Sequence, residues 1–149
     1  RRALRPLRAA DLANKPDSCC VARADAPEWD MDKVNLSQAF ARFSDHARPR
    51  VAGDVNDMQV KLVKLKGEFV WHHHEHEDEL FLVHKGVLSM QFRDRTVEVG
   101  PGEFIVVPHG VEHCPLAVEE VEIVLFEPKT TLNTGNVENE RTVRQLERV

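Results

Sequence analysis

From residue 50 to residue 127 apolar positions recur in short blocks cut by turn residues. Eight blocks carry β-branched and aromatic residues. They are Met58–Lys66, Phe69–His73, Glu79–His84, Val87–Phe92, Thr96–Val99, Phe104–Val107, Glu112–Ala117 and Val121–Glu127. Gly53, Gly67, Lys85-Gly86, Asp94, Gly100-Pro101-Gly102, Pro108-His109-Gly110 and Pro115 punctuate them. Many short strands with turn signals at such spacing predict an all-β sandwich or barrel. Ahead of them, residues 35–43 predict one short helix. Asn35 supplies an N-cap with Gln38 three positions on, and Leu36, Ala39, Phe40 and Phe43 share a face.

Both ends differ from this middle. Residues 1–30 hold Arg1, Arg2, Arg5 and Arg8 without a balancing acid in the first ten positions, then Ala and Pro without an apolar period. The sequence starts with Arg, and Met31 is a plausible alternative start. The leader resembles an organelle targeting segment apart from its scarce serine. A loosely packed extension is expected here. Residues 31–128 are then the barrel, and 129–149 a polar C-terminal tail. In that tail Asn133-Thr134-Gly135-Asn136 reads as a turn and Val137–Val149 as a charged stretch with a frayed helical turn.

Composition narrows the function classes. The chain has 149 residues, enough for one domain with its own core. No apolar run approaches the ~18 residues that span a bilayer, so no membrane role is expected. A net charge of −5 argues against binding a phosphate backbone, so nucleic acid is not expected as a partner. The three cysteines, Cys19, Cys20 and Cys114, are no disulfide framework, which points to a reducing, cytoplasmic setting. With no tyrosine in the chain, a tyrosine nucleophile or radical is excluded.

The chemistry concentrates in Trp71-His72-His73-His74-Glu75-His76-Glu77-Asp78-Glu79. On a strand His72 and His74 share one face and His73 takes the other. Glu79 opens a strand apolar on both faces, so its carboxylate beside two imidazoles needs a partner or a metal. A turn at Pro108-His109-Gly110 brings His113 within reach as a third imidazole. Three His and one Glu suit Mn, Fe, Co, Ni, Cu or Zn rather than Ca or Mg. On a six-coordinate ion they leave two positions open, as catalysis requires.

These residues resemble the cupin family. Its first motif, Gly-x5-His-x-His-x(3,4)-Glu-x6-Gly, is matched by His72-x-His74-x4-Glu79-x6-Gly86, with the leading Gly67 one position off. Its second, Gly-x5-Pro-x-Gly-x2-His-x3-Asn, is matched by Gly102-x5-Pro108-x-Gly110-x2-His113, with Ala117 in place of the final Asn. The resemblance covers about residues 50–127. It implies a double-stranded β-helix (a jelly-roll barrel), metal ligands His72, His74, Glu79 and His113, one divalent transition metal (Cu, Fe, Mn, Ni or Zn), and a homodimer. The small single-domain cupins labelled mannose-6-phosphate-isomerase-like are the nearest subgroup by appearance. The register His74-x-His76 leaves too few residues before Glu79, so His76 is at most a substitute or neighbour of the ligands.

Other groups near the mouth are weighed against plainer roles. Glu77, Asp78, His76 and Lys64 are the candidates for acid–base work. One of Lys61, Lys64 and Lys66 is a candidate to enter the barrel, against the plainer role of guarding a sheet edge. His84 is expected to be exposed or at a dimer contact, and His109 at the surface. Arg93 and Arg95 are expected to be exposed, and Cys114 to be a packed thiol facing away from the ligands. Trp71 is a candidate contact with a partner subunit. The expected activity is an oxidoreductase that uses a redox metal and dioxygen or peroxide on a small oxygen-rich substrate such as a carbohydrate. The alternatives are a metal-dependent sugar isomerase or epimerase, and a non-catalytic small-molecule-binding module.

Overall fold

The computed structural model describes residues 33–149. The expected extension at 1–30, Met31, Cys19 and Cys20 lie outside them. One short helix, α1 (Leu36–Phe40), precedes seven strands. These are β1 (Arg50–Val55), β2 (Met58–Glu68), β3 (Glu79–Lys85), β4 (Leu88–Phe92), β5 (Thr96–Val99), β6 (Phe104–Val107) and β7 (His113–Pro128). All pairings are antiparallel, in the order β1-β2-β7-β3-β6, with β4 pairing both β5 and β7.

The 16-residue β7 organises the fold. Its second half lies between β2 and β3, and its first half runs beside β4, Ser89–Phe92 facing Leu116–His113. One strand thus serves both halves of a double-stranded β-helix. Inward residues alternate with outward ones, as a pleated strand requires. Val63, Leu65, Phe81, Val83, Leu88, Met90, Ile123 and Leu125 fill the core between the sheets.

Several boundaries differ from the expectation. Residues 69–73 form no strand; the segment meets β7 through Phe69 N, which donates to Pro115 O at 2.9 Å, and through an isolated His72–His113 bridge. The blocks at 112–117 and 121–127 are one strand, whose exposed Val118-Glu119-Glu120 reads as a break in the sequence. Strand β1 was not foreseen, because a bulge between Val51 and Gly53 upsets its alternation. Helix α1 ends at Phe40, with Ala41 as C-cap, and Phe43 joins the same apolar cluster from the turn beyond. The Asn35 side chain does accept a hydrogen bond from Gln38 N, at 3.1 Å.

The polar C-terminal stretch is tied down and forms no helical turn. Val51 N donates to Glu147 O at 2.8 Å, and Val149 N to Val51 O at 3.1 Å. Thr134 is fully buried, and its hydroxyl lies 2.8 Å from that of Thr142. Among the described residues no helix is long and apolar enough to cross a membrane.

Candidate metal centre

Glu79 is the first residue of β3 and His113 the first of β7. Glu79 is in phase with Phe81 and Val83, so the pleat aims it inward. His72 and His74 lie on the irregular segment before β3, and backbone bonds hold them there. His72 N donates to His113 O at 3.0 Å and His113 N to His72 O at 2.9 Å, while Gly110 N donates to His74 O at 2.7 Å. The alternation expected of a strand survives at His72–His74 without the strand: His72 and His74 are buried, and His73 is half-buried on the other side.

One donor atom from each of His72, His74, Glu79 and His113 falls within 4.8 Å of the others. All four residues are at most 4% exposed. His72 Nδ1 donates to Val70 O and His113 Nδ1 to Val111 O, both at 2.9 Å. A carbonyl only accepts, so each Nδ1 is the donor to its carbonyl and Nε2 is the ring nitrogen left for the centre. Glu79 Oε2 lies 3.0 Å from His74 Nε2 and 3.2 Å from His113 Nε2. These approaches lack hydrogen-bond direction, so all three atoms are buried without a hydrogen-bond partner.

Burial pushes the His72 imidazole down to about 4, with the neighbouring His113 adding to the effect, so it is neutral. Burial opposes ionisation of Glu79, but His113, His74 and the Glu127 carboxyl hold it well below the usual carboxylate range. Three buried imidazoles and a carboxylate, with His74 Nε2, His113 Nε2 and Glu79 Oε2 unpartnered, form a donor set that a divalent transition metal fits.

Beside this group lies a cavity of about 50 Å³. Its wall is mainly apolar, with Val63, Leu65, Phe69, Phe81, Ile123 and Leu125 among its residues. Its polar lining is His72, Glu79, Glu127 and Asn133. Glu127 was not foreseen. It is 1% exposed and accepts from Lys61 Nζ at 2.7 Å. Burial, together with the Glu79 charge, raises Glu127 well above the ordinary range despite Lys61. Of the three candidate lysines Lys61 is the one that enters. The sequence signal was phase: Lys61 alternates with Val63 and Leu65, and Glu127 with Leu125 and Ile123.

Asn133–Asn136 press on the ligand segment. Asn136 Oδ1 accepts from His73 N at 2.9 Å, and Asn136 N donates to His73 O at 3.0 Å. The residue between two ligands is thereby held at both its backbone groups.

The acid–base candidates fall elsewhere. Lys64 shares the phase of Leu62, so it points away from the cavity, toward Glu120 at 3.5 Å and the Phe43 ring. The His76 side chain is 85% exposed. Asp78 is exposed and accepts from both His109 N and His109 Nδ1 at 2.8 Å. Glu77 is half-buried in a separate polar pocket on the His74 side, with Gly135 and Asn136.

His84 lies out of phase with Glu79, partly exposed and packed against α1. It stacks on Phe40 with ring centroids 5.6 Å apart, and its Nε2 lies 3.2 Å from Ser37 Oγ. The Trp71 ring lies under the Arg93 guanidinium at 3.8 Å. Cys114 is fully buried, and burial pushes its thiol up to about 11. The thiolate is the reactive form. Iodoacetamide at neutral pH should therefore leave Cys114 unlabelled in the folded protein and label it in urea, as read by peptide mass mapping.

Comparison with known proteins agrees with this geometry. The Cupin_2 family profile, described as "Cupin domain", matches residues 60–127. The curated Bacillus subtilis protein YdbB, itself named uncharacterized, is 39% identical over 61 residues, 40% of this chain and 54% of that protein. The chain thus spans about half the length of the curated relative it matches. A cupin-2 domain protein of Shewanella frigidimarina, of known crystal structure, is 47% identical with a TM-score of 0.64, covering 64% of this chain and 94% of that one. NMB1881 of Neisseria meningitidis is 29% identical with a TM-score of 0.60, covering 66% and 100%. Fold, motifs and this degree of identity across nearly the whole of a relative place the chain in the cupin superfamily.

Proposed function

We propose that this cupin is a metal-dependent oxidoreductase acting on a small substrate whose reacting end enters the apolar cavity beside His72 and Glu79. The observation that carries this reading is the pairing of a buried three-imidazole, one-carboxylate set, unpartnered at His74, Glu79 and His113, with a mainly apolar wall. A divalent transition ion held by His72, His74, Glu79 and His113 supplies Lewis acidity and, if it is Cu, Fe or Mn, electron transfer with dioxygen or peroxide. The protein contributes the rest. The Nδ1 bonds of His72 and His113 fix the tautomers, and the apolar wall excludes water, which strengthens electrostatic interactions inside.

The cavity also bears on substrate class. An apolar cavity of ~150 Å³ takes up benzene, whereas this one is about 50 Å³. Its inner part holds a functional group, and the rest of a substrate would lie toward its open side. An apolar body with one polar end, such as a small phenol or alcohol, suits the wall better than a carbohydrate.

A second reading is redox-neutral proton transfer of the isomerase kind, which includes the mannose-6-phosphate-isomerase-like placement. It is favoured by one observation: the Glu127 carboxyl faces the cavity, where a general acid or base belongs. Oxygen separates the two. Protein loaded with Fe, Mn or Cu should consume oxygen on addition of a small phenol or alcohol from a screening panel. Turnover that persists in an anaerobic chamber without peroxide overturns the oxidative reading and selects the second.

A further inference from the structure

We infer that Lys61 and Glu127 form a buried clamp that positions Glu79 as a ligand; the inference rests on the metal reading above. The strands place the three groups in a row. Lys61 pairs with Leu125 across β2 and β7, so Glu127 is its diagonal neighbour on the inward face. Leu80 pairs with Phe126 across β3 and β7, which sets Glu79 beside Glu127. Lys61 Nζ donates to Glu127 Oε1 at 2.7 Å and lies 3.4 Å from Thr131 O.

Fold stability does not explain this pair. Both residues are 1% exposed, and a buried ion pair is often matched or bettered by apolar residues of the same volume. Glu127 Oε2 has no hydrogen-bond partner, although the strand register sets the residue opposite Glu79 and both line the cavity. A glutamate ligand has three rotatable bonds. The imidazoles meet Glu79 from one set of directions, and Glu127, itself anchored by Lys61, fixes it from another. Partners that orient a ligand in this way tune the affinity of a metal site.

Co²⁺ alone is the probe, titrated against a chelator into the full chain, with the visible absorption of the bound ion recorded. Lys61→Met with Glu127→Leu keeps the volume and removes the clamp. This double variant should fold, with apo Tm at or above wild type, bind Co²⁺ roughly 10–100-fold more weakly, and shift the absorption bands. Lys61→Met alone, which frees the carboxyl from its anchor, should weaken binding in the same direction and serves if the double variant does not fold. Glu127→Gln accepts from Lys61 and donates to Glu79, so it should keep near-wild-type affinity and bands. Clamp-less variants with unchanged affinity and bands overturn the inference and leave the metal reading standing. Glu127→Gln as weak as the double variant also overturns it, because charge and not contact then carries the effect. Wild-type protein that takes up no Co²⁺ overturns the metal reading and the clamp with it.

Discussion

Replacing both His72 and His74 by alanine should leave a folded protein that no longer retains metal. A four-donor transition-metal site contributes roughly 10–16 kcal/mol, so an equal share is about 3–4 kcal/mol per ligand. Removing two should weaken binding on the order of 10⁴–10⁶-fold, at ~1.4 kcal/mol per factor of ten. Elemental analysis of untagged protein should read about one ion per wild-type chain and almost none in the variant. Calorimetry provides a second readout. Metal at 100 times its Kd stabilises the wild type by ~2.7 kcal/mol, a rise in Tm of about 10 °C for a domain of this size. The variant should show no rise. The physical reason is that His74 Nε2, His113 Nε2 and Glu79 Oε2 are buried without partners. Such groups burden the metal-free fold, and only a bound cation turns that burden into a gain. Full metal retention by the variant would refute the assignment.

Those four residues were legible in the sequence because local rules place them. A period of 2 sets His72 and His74 on one face, and Glu79 and His113 open strands whose later residues have a clear inward phase. The rest depends on contacts between distant segments. Which of Lys61, Lys64 and Lys66 enters, and that Glu127 meets it there, has no local signal strong enough to decide it; strand pairing across 66 positions supplies it. Lys64 looked equivalent to Lys61 and lies in the opposite phase. Phe69-Val70-Trp71 has strand composition, yet its backbone meets β7 only at Phe69 and at the neighbouring His72, too sparsely to form a ladder. Strand β1 was hidden by its own bulge. The barrel itself was legible, since turn signals and alternation recur along the chain and survive a local misreading. The turn at 133–136 was legible as a turn; that it grips His73, 63 positions earlier, was not.

That grip makes Gly135→Ala the substitution outside the ligands with the largest expected effect. At Gly135 φ is +51°, and a Cβ there would stand 2.2 Å from His73 O and 3.2 Å from His72 Cδ2. The first contact is with backbone, which cannot rotate away, and the second is with a proposed ligand ring. A left-handed conformation costs a residue with a Cβ about 1–2 kcal/mol, and forced overpacking adds about 1–3 kcal/mol. The total of roughly 2–5 kcal/mol implies a Tm lowered by about 10 °C or more. Two other glycines separate the terms. Gly102 has a φ of +81° and open space around its Cβ position, so Gly102→Ala should show the backbone cost alone. Gly53 has open space and no positive φ, so Gly53→Ala should be close to neutral. Thermal melts of the three variants should rank Gly135 well below Gly102, and Gly102 below Gly53. Metal titration then tests the link to the site: relief of the clash moves the His72–His74 backbone, so only Gly135→Ala should lose affinity. Equal melting of the Gly135 and Gly102 variants, with metal binding intact in both, would show that the turn at 133–136 yields to a side chain and does not hold the ligand segment in place.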